Sequence, residues 1–316
     1  MNMNKKLLIN ILRILVSGGL LMYLFVFQVD LTGLWDSFLS AQYVYLILAL
    51  LVMILGTMLR GLRWDILLRA HGLSVSLIHL VKLYFVGAFF NIFLPSGIGG
   101  DAVKMAELSR VTGKTPESIG ITIVDRALGL WILFILALVA LPFGSEFLPD
   151  EYQIWVILLV VAGVAGGFLF MWTPTLHWIG TKIQLPAQDK LERVYQSIST
   201  TDYKSLAKAS LVSLIFDGLL IIFIYFLAMG FHADVQFYLF FIFAPLISLS
   251  EAIPLSVGGL GLREFTYVLL FGPVGVSEVT ATAMSLFHYV LAHVLVGVIG
   301  GVLYTIQGLS GLMDDN

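Results

Sequence analysis

Apolar residues run along this chain in long blocks. Unbroken apolar spans cover about 7–27, 41–59, 118–142, 154–172, 207–229 and 279–308. Each is long enough, at about 20 residues or more, for a helix to cross the hydrocarbon core of a bilayer. Two further apolar stretches, 77–110 and 237–272, are broken near their middles by Pro and Gly. The first span follows Lys5 and Lys6, carries Arg13 and lacks a small-residue cleavage end. It is also longer than the 7–15 residues of a signal-peptide apolar region, so it reads as a retained helix. The pattern predicts an all-α polytopic membrane protein.

Composition agrees. Apolar residues make up 59% of the 316 and charged residues 12%, about half the charge of a soluble domain. The chain has no Cys, which excludes disulfides, thiolate metal sites and cysteine nucleophiles.

The placement of Lys and Arg decides the topology. Basic residues gather before residue 14 and in segments 60–76, 104–117 and 173–208, whereas 28–40, 143–153, 230–236 and 272–278 have none. Cytoplasmic loops carry the excess of Lys and Arg. If 77–95 crossed the membrane fully, the next loops would break that rule in succession. If 77–110 enters from the cytoplasm and returns to it, every loop obeys. The same argument makes 237–272 a hairpin entering from outside. The expectation is six full transmembrane helices, two re-entrant helical hairpins, and both termini cytoplasmic in a bacterial or archaeal cell (inner) membrane.

The two broken stretches resemble each other. Pro95-Ser-Gly-Ile-Gly-Gly-Asp-Ala-Val-Lys104 aligns with Pro254-Leu-Ser-Val-Gly-Gly-Leu-Gly-Leu-Arg263, 159 positions later. The same offset brings the flanking spans roughly into register. Repeat 1 is then about 1–150 and repeat 2 about 151–316, within a single membrane domain. Each repeat has an odd number of crossings, so the second is inverted, as in transporters whose sites lie at the repeat interface.

Bare backbone at membrane depth occurs only where it is buried in protein or lines a wet cavity. A helix restarting after each Gly-Gly, at Asp101 and at Leu260, would aim its unpartnered N–H groups and positive dipole end at that cavity, an arrangement suited to an anion. Alternatively the glycines only permit a tight turn. The anion or lipid-headgroup candidates are Ser96, Gly97, Gly99, Gly100, Lys104, Arg126, Ser256, Gly258, Gly259 and Arg263. Asn91, Asp101, Asp125, Asp217, Glu251 and Glu264 are supporting or proton-coupling candidates, because ionisable groups at membrane depth are functional by default or else fix packing as buried pairs. Asn91 is suited to bonding freed backbone at the first tip.

His288 and His293 lie five apart, about 140° around an α-helix of 3.6 residues per turn. With no third ligand in view, no metal site is expected. Arg60, Arg63 and Trp64 read as interfacial anchors or lipid-headgroup contacts at the end of the second span. The stretches "GVAGG" at 163–167 and "GVIGG" at 297–301 read as close-packing faces. GxxxxGK[ST] is absent, and neither a catalytic constellation, a cofactor nor nucleic-acid binding is expected.

"RGLRW", "NIFLPSGIGGDAVKM", "VDRALGL" and "EAIPLSVGGLGLREF" occur in that order. Together they resemble the lysylphosphatidylglycerol synthase transmembrane-region family, a flippase-like membrane domain, over nearly the whole chain. The resemblance implies movement of phospholipid, or of another anionic or aminoacylated lipid, between leaflets. In fused members a soluble domain attaches the amino acid. Here the sequence stops at Asn316, just after the last span, so synthesis is not expected. The competing expectations are a non-transporting partner of a lipid-modifying or glycosyl-transferring enzyme, and a membrane-embedded enzyme acting on a lipid phosphate.

Overall fold

A computed structural model describes residues 30–93, 99–144, 150–171, 202–252 and 259–311, with positions 18, 19, 22 and 23. The predicted span 7–27 and the candidates Ser96, Gly97, Ser256 and Gly258 lie outside the described residues, apart from those four positions in the span. Among the described residues every regular element is helical.

A short helix α1 (Leu31–Leu39) is capped by Asp30, whose carboxylate accepts from the Thr32 and Gly33 N–H groups at 3.1 Å each. The Thr32 hydroxyl also donates to this carboxylate, and that bond first, with the two N–H bonds after it, holds the exposed Asp30 carboxyl below the usual carboxylate range. Among the described residues, five helical stretches are long and apolar enough to cross a membrane. They are α2 (Tyr43–Ala70), α5 (Thr115–Gly144), α6 (Asp150–Met171), α7 (Tyr203–Gly230), and the pair α10 (Glu278–Tyr289) and α11 (Val296–Gly311) joined by a π-helical turn at Val290–Leu295. They correspond to the five predicted spans after the first. The chain is thus a multi-pass membrane protein.

Between the long helices lie two short pairs. Helix α3 (Leu77–Phe93) is followed by α4 (Gly99–Thr112), and α8 (Phe240–Ala252) by α9 (Leu262–Phe271). At about 1.5 Å per residue, the 17 residues of α3 and 13 of α8 fall short of the roughly 30 Å hydrocarbon core. The restarts differ from expectation in opposite directions. Gly99 and Gly100 are already helical, so α4 begins before Asp101. Gly259 and Gly261 both have φ of 83°, outside the right-handed helical region, so α9 waits until Leu262.

The packing pattern is reciprocal. Helix α2 lies along α7. The first short pair sets α3 against α11, and the second sets α8 against α5. Helix α4 then leads onto α5 as α9 leads onto α10. In lipid no hydrophobic gain separates helix from tail, so close van der Waals fit and small residues hold such contacts. Both glycine stretches behave as expected. Gly163 and Gly167 of α6 receive the rings of Phe134 and Trp131, and Trp131 Nε1 donates to the Val164 carbonyl at 3.0 Å. Gly297, Gly300 and Gly301 of α11 lie against Ile92, the Phe85 backbone and the Phe89 ring of α3.

One helix runs past its predicted end. The span 41–59 continues through "RGLRW" to Ala70, so Arg60, Arg63 and Trp64 lie within α2 rather than at its end.

Candidate functional site

Each short helix pair carries charged side chains that meet partners from the long helices around it. At the first, Asp101 and Lys104 lie on successive turns of α4 and pair at 2.7 Å. Arg126 from α5 reaches the other Asp101 oxygen. Lys104 Nζ sits 3.8 Å from the centre of the Tyr84 ring and 5.6 Å from that of Trp64. The Arg60 guanidinium lies 5.1 Å from the Tyr84 ring. Beneath this layer Arg63 Nε donates to Asp125 Oδ1 at 2.6 Å, Arg63 Nη1 donates to Ser213 Oγ at 3.0 Å, and the Tyr84 hydroxyl donates to Asp125 Oδ2 at 2.6 Å. Asp217 of α7 is buried, and Oδ2 of its carboxylate has no hydrogen-bond partner.

Glycine brings the backbone in. A Cβ on Gly100 would overlap the Gly87 carbonyl of α3, so α3 and α4 meet where neither carries a side chain. The Gly100 N–H donates to Asn91 Oδ1 at 2.6 Å, the backbone-bonding role expected of Asn91. That donor of the α4 start is thereby occupied by the protein itself. A donor at the second pair is occupied too, since the N–H of Gly261, which precedes α9, donates to Glu264 Oε2 at 2.6 Å. The expectation that the helix starts offer all their first N–H groups to an anion is corrected at these two positions.

At the second pair the guanidinium of Arg263 is wholly buried. Its Nη2 donates to Glu264 Oε1 at 2.5 Å, its Nε to Ser285 Oγ at 3.0 Å and its Nη1 to Glu251 Oε1 at 3.4 Å. Ser285 in turn donates to Glu264 at 3.1 Å, and the Tyr289 ring lies 5.1 Å from the guanidinium. Each of the three guanidinium nitrogens of Arg263 thus meets a protein acceptor. Gly259 stands beside Glu251, at 3.3 Å from ideal Cβ to Glu251 Cγ.

Apart from Asp217, Glu251 and Gly259, already placed above, the sequence-predicted residues that the structure describes fall into three groups. Asp125, Glu264 and Arg263 are locked in buried ion pairs. Asp101, Lys104, Gly99, Gly100 and Asn91 lie together where α3 and α4 meet. Arg126 stands apart, with 42% of its side chain exposed. The reading of Arg63 and Trp64 as interfacial anchors is overturned: they are 3% and 0% exposed, because Arg63 has found a buried carboxylate partner. Tyr84, Ser213 and Ser285 belong to these clusters without having been singled out, since nothing local to "KLYF" or "AMSLF" marks them.

The histidines also need correction. His288 and His293 do not point 140° apart. The π turn that holds His293 bonds i to i+5 and swings it back, so the two rings stack with centroids 6.2 Å apart and an interplanar angle of 16°. Both face Glu251, at 3.5 and 3.7 Å from Nε2 to Oε1.

Comparison with known proteins places this arrangement in context. Residues 10–300 match the family model described as the lysylphosphatidylglycerol synthase TM region. A UPF0104 membrane protein of Pyrococcus horikoshii is 21% identical over 292 residues, covering 82% of this chain and 86% of that protein. Another, from Methanothermobacter thermautotrophicus, is 24% identical over 296 residues, covering 84% and 86%. The match spans both short helix pairs and their charged clusters, and the chain belongs to the lysylphosphatidylglycerol synthase TM region family.

Proposed function

We propose that this protein is a lipid translocase that moves phospholipid, or another lipid with an anionic or aminoacylated headgroup, between leaflets, and that it is not an enzyme. The observation that carries the reading is the first charged cluster. Arg60, Arg63, Lys104 and Arg126 outnumber Asp101, Asp125 and Asp217 by one positive charge, and Arg126 leaves nearly half its side chain open. A guanidinium with free N–H groups at membrane depth is suited to a phosphate. The family description, which names a lysylated phospholipid, supports the substrate class.

In this reading α3–α4 and α8–α9 are re-entrant hairpins of an inverted repeat with six full spans and both termini cytoplasmic, in a bacterial or archaeal cell membrane. The shortness of α3 and α8, and the reciprocal contacts of α3 with α11 and α8 with α5, support that layout. The headgroup enters laterally between the repeats and its phosphate engages Arg126 above the Asp101–Lys104 pair. Alternating exposure passes it across while the acyl tails stay in lipid. An ion gradient or the lipid gradient itself supplies the energy.

The test is reconstitution. Vesicles containing the protein should exchange fluorescent phosphatidylglycerol between leaflets faster than protein-free vesicles, and Arg126→Gln should remove at least nine-tenths of that rate. No movement of any anionic lipid overturns the proposal. The layout is tested apart: because the chain lacks Cys, Lys114→Cys and Glu278→Cys should react with an impermeant thiol reagent from opposite faces. Labelling from one face sinks the hairpin arrangement.

A further inference from the structure

We propose that Glu251, His288 and His293 form a binding site for one divalent transition-metal ion of the Zn²⁺ class, set between the second short helix pair and the last long helix. One ligand atom from each lies within 4.8 Å of the other two. The spacing itself favours coordination over direct hydrogen bonding. The Nε2 to Oε1 separations of 3.5 and 3.7 Å exceed the 2.7–3.2 Å of N–H···O bonds. They approach the edge of a coordination tetrahedron, about 3.4 Å when metal–ligand distances are about 2.0–2.1 Å. His293 Nε2 is buried without any hydrogen-bond partner.

The surroundings prepare the ligands. A metal-bound imidazole characteristically engages its second nitrogen with an oxygen, which fixes tautomer and ring direction. His288 Nδ1 lies 2.9 Å from the Tyr267 hydroxyl, and Phe223 packs edge-on against the ring with centroids 4.9 Å apart. This leaves His288 Nε2 aimed at Glu251. The π turn supplies His293 from the same helix, and such turns recur at functional sites.

Charge balance points the same way. Arg263 is matched by Glu264 at 2.5 Å, and its contact with Glu251 is the longest of its hydrogen bonds. Glu251 is therefore the surplus carboxylate of this cluster. Two imidazoles and one carboxylate select Zn²⁺-like ions over Mg²⁺ or Ca²⁺. Access comes from the half-open side, where His293 has 33% and Glu251 21% of its side chain exposed. Three protein ligands leave one position for water or another oxygen.

The experiment uses the full chain purified in detergent through a histidine-free tag, stripped with chelator, then titrated with Zn²⁺ or Co²⁺ alone. One equivalent should bind, with the visible absorption of tetrahedral Co²⁺. Glu251→Gln and His293→Gln should each weaken binding at least tenfold while the apo proteins keep the wild-type melting temperature. Tyr267→Phe should weaken it about tenfold through the loss of His288 orientation, and His71→Gln and His232→Gln should not. Failure to bind near one equivalent at 100 µM, or unchanged binding in both Glu251→Gln and His293→Gln, overturns the site. The outcome does not depend on whether the protein moves lipid.

Discussion

The two short helix pairs carry a basic residue at matching positions, Lys104 and Arg263, yet they use it differently. Lys104 belongs to a cluster with one cation in surplus, topped by a half-open Arg126. Arg263 belongs to a cluster with one carboxylate in surplus, flanked by two neutral-capable imidazoles. Similar motifs thus yield sites of opposite electrostatic bias, one suited to an anion and the other to a cation. Aligned positions in a repeat place side chains equivalently. What those side chains then do is decided by partners contributed from elsewhere in the fold.

The sharpest way to break this contrast is at Arg263. Removing one member of a buried ion pair leaves the other charge uncompensated, at a cost of about 3–5 kcal/mol. Arg263→Ala strands Glu264, which is itself wholly buried, and should lower the unfolding free energy by that amount in detergent. Arg263→Lys should rescue little, because one ammonium cannot serve Glu264, Ser285 and Glu251 from a planar fork. If Arg263→Ala keeps its stability but loses lipid movement, Arg263 is a headgroup ligand and the two tips are alike after all.

The glycines separate the tips a second time. Gly100 is needed for space, because a Cβ would overlap the Gly87 backbone. Gly259 is needed for its φ of 83°, with room around it limited only at 3.3 Å by Glu251. Gly100→Ala should cost about 1–3 kcal/mol by overpacking, and Gly100→Asn more. At Gly259 the order should invert: Asn, which tolerates positive φ better than Ala, should be the milder change. Thermal unfolding of the four variants reads the order, and an identical order at both tips would mean that both glycines serve one purpose.

How far the sequence foretold these sites follows from where the partners lie. The long spans after the first, the glycine packing faces and the Asn91 bond to the first tip were legible, because each depends on a short local run. The Arg63–Asp125 pair joins residues 62 positions apart, and Arg63 reaches Ser213 across 150. No local pattern announces either, so "RGLRW" read as the end of a helix when it is the middle of one. The π turn was equally hidden. One residue of extra winding leaves no mark on composition, yet it moves His293 from the far side of the helix to the side of His288. Glu251, seen as a lone acid before the second tip, becomes their third partner only when α8 is folded back.

Arg126 is the finest test of the contrast, since its effect on stability should be the smallest and its effect on function the largest. Its pair with Asp101 is partly exposed, and such pairs contribute about 0–1 kcal/mol. Asp101 keeps Lys104 at 2.7 Å when Arg126 is lost, so no buried charge is stranded. Arg126→Gln should therefore unfold within about 1 kcal/mol of wild type while anionic-lipid exchange is lost. Arg126→Lys should keep part of the exchange, because an ammonium binds phosphate as a point charge without the two-pronged geometry. The residual exchange should also fall with added salt, as expected of a half-exposed charge. Should Arg126→Gln instead destabilise as Arg263→Ala does, with exchange per folded molecule unchanged, the first tip too would be an internal clasp, and the anion-binding role would have to move elsewhere in the fold.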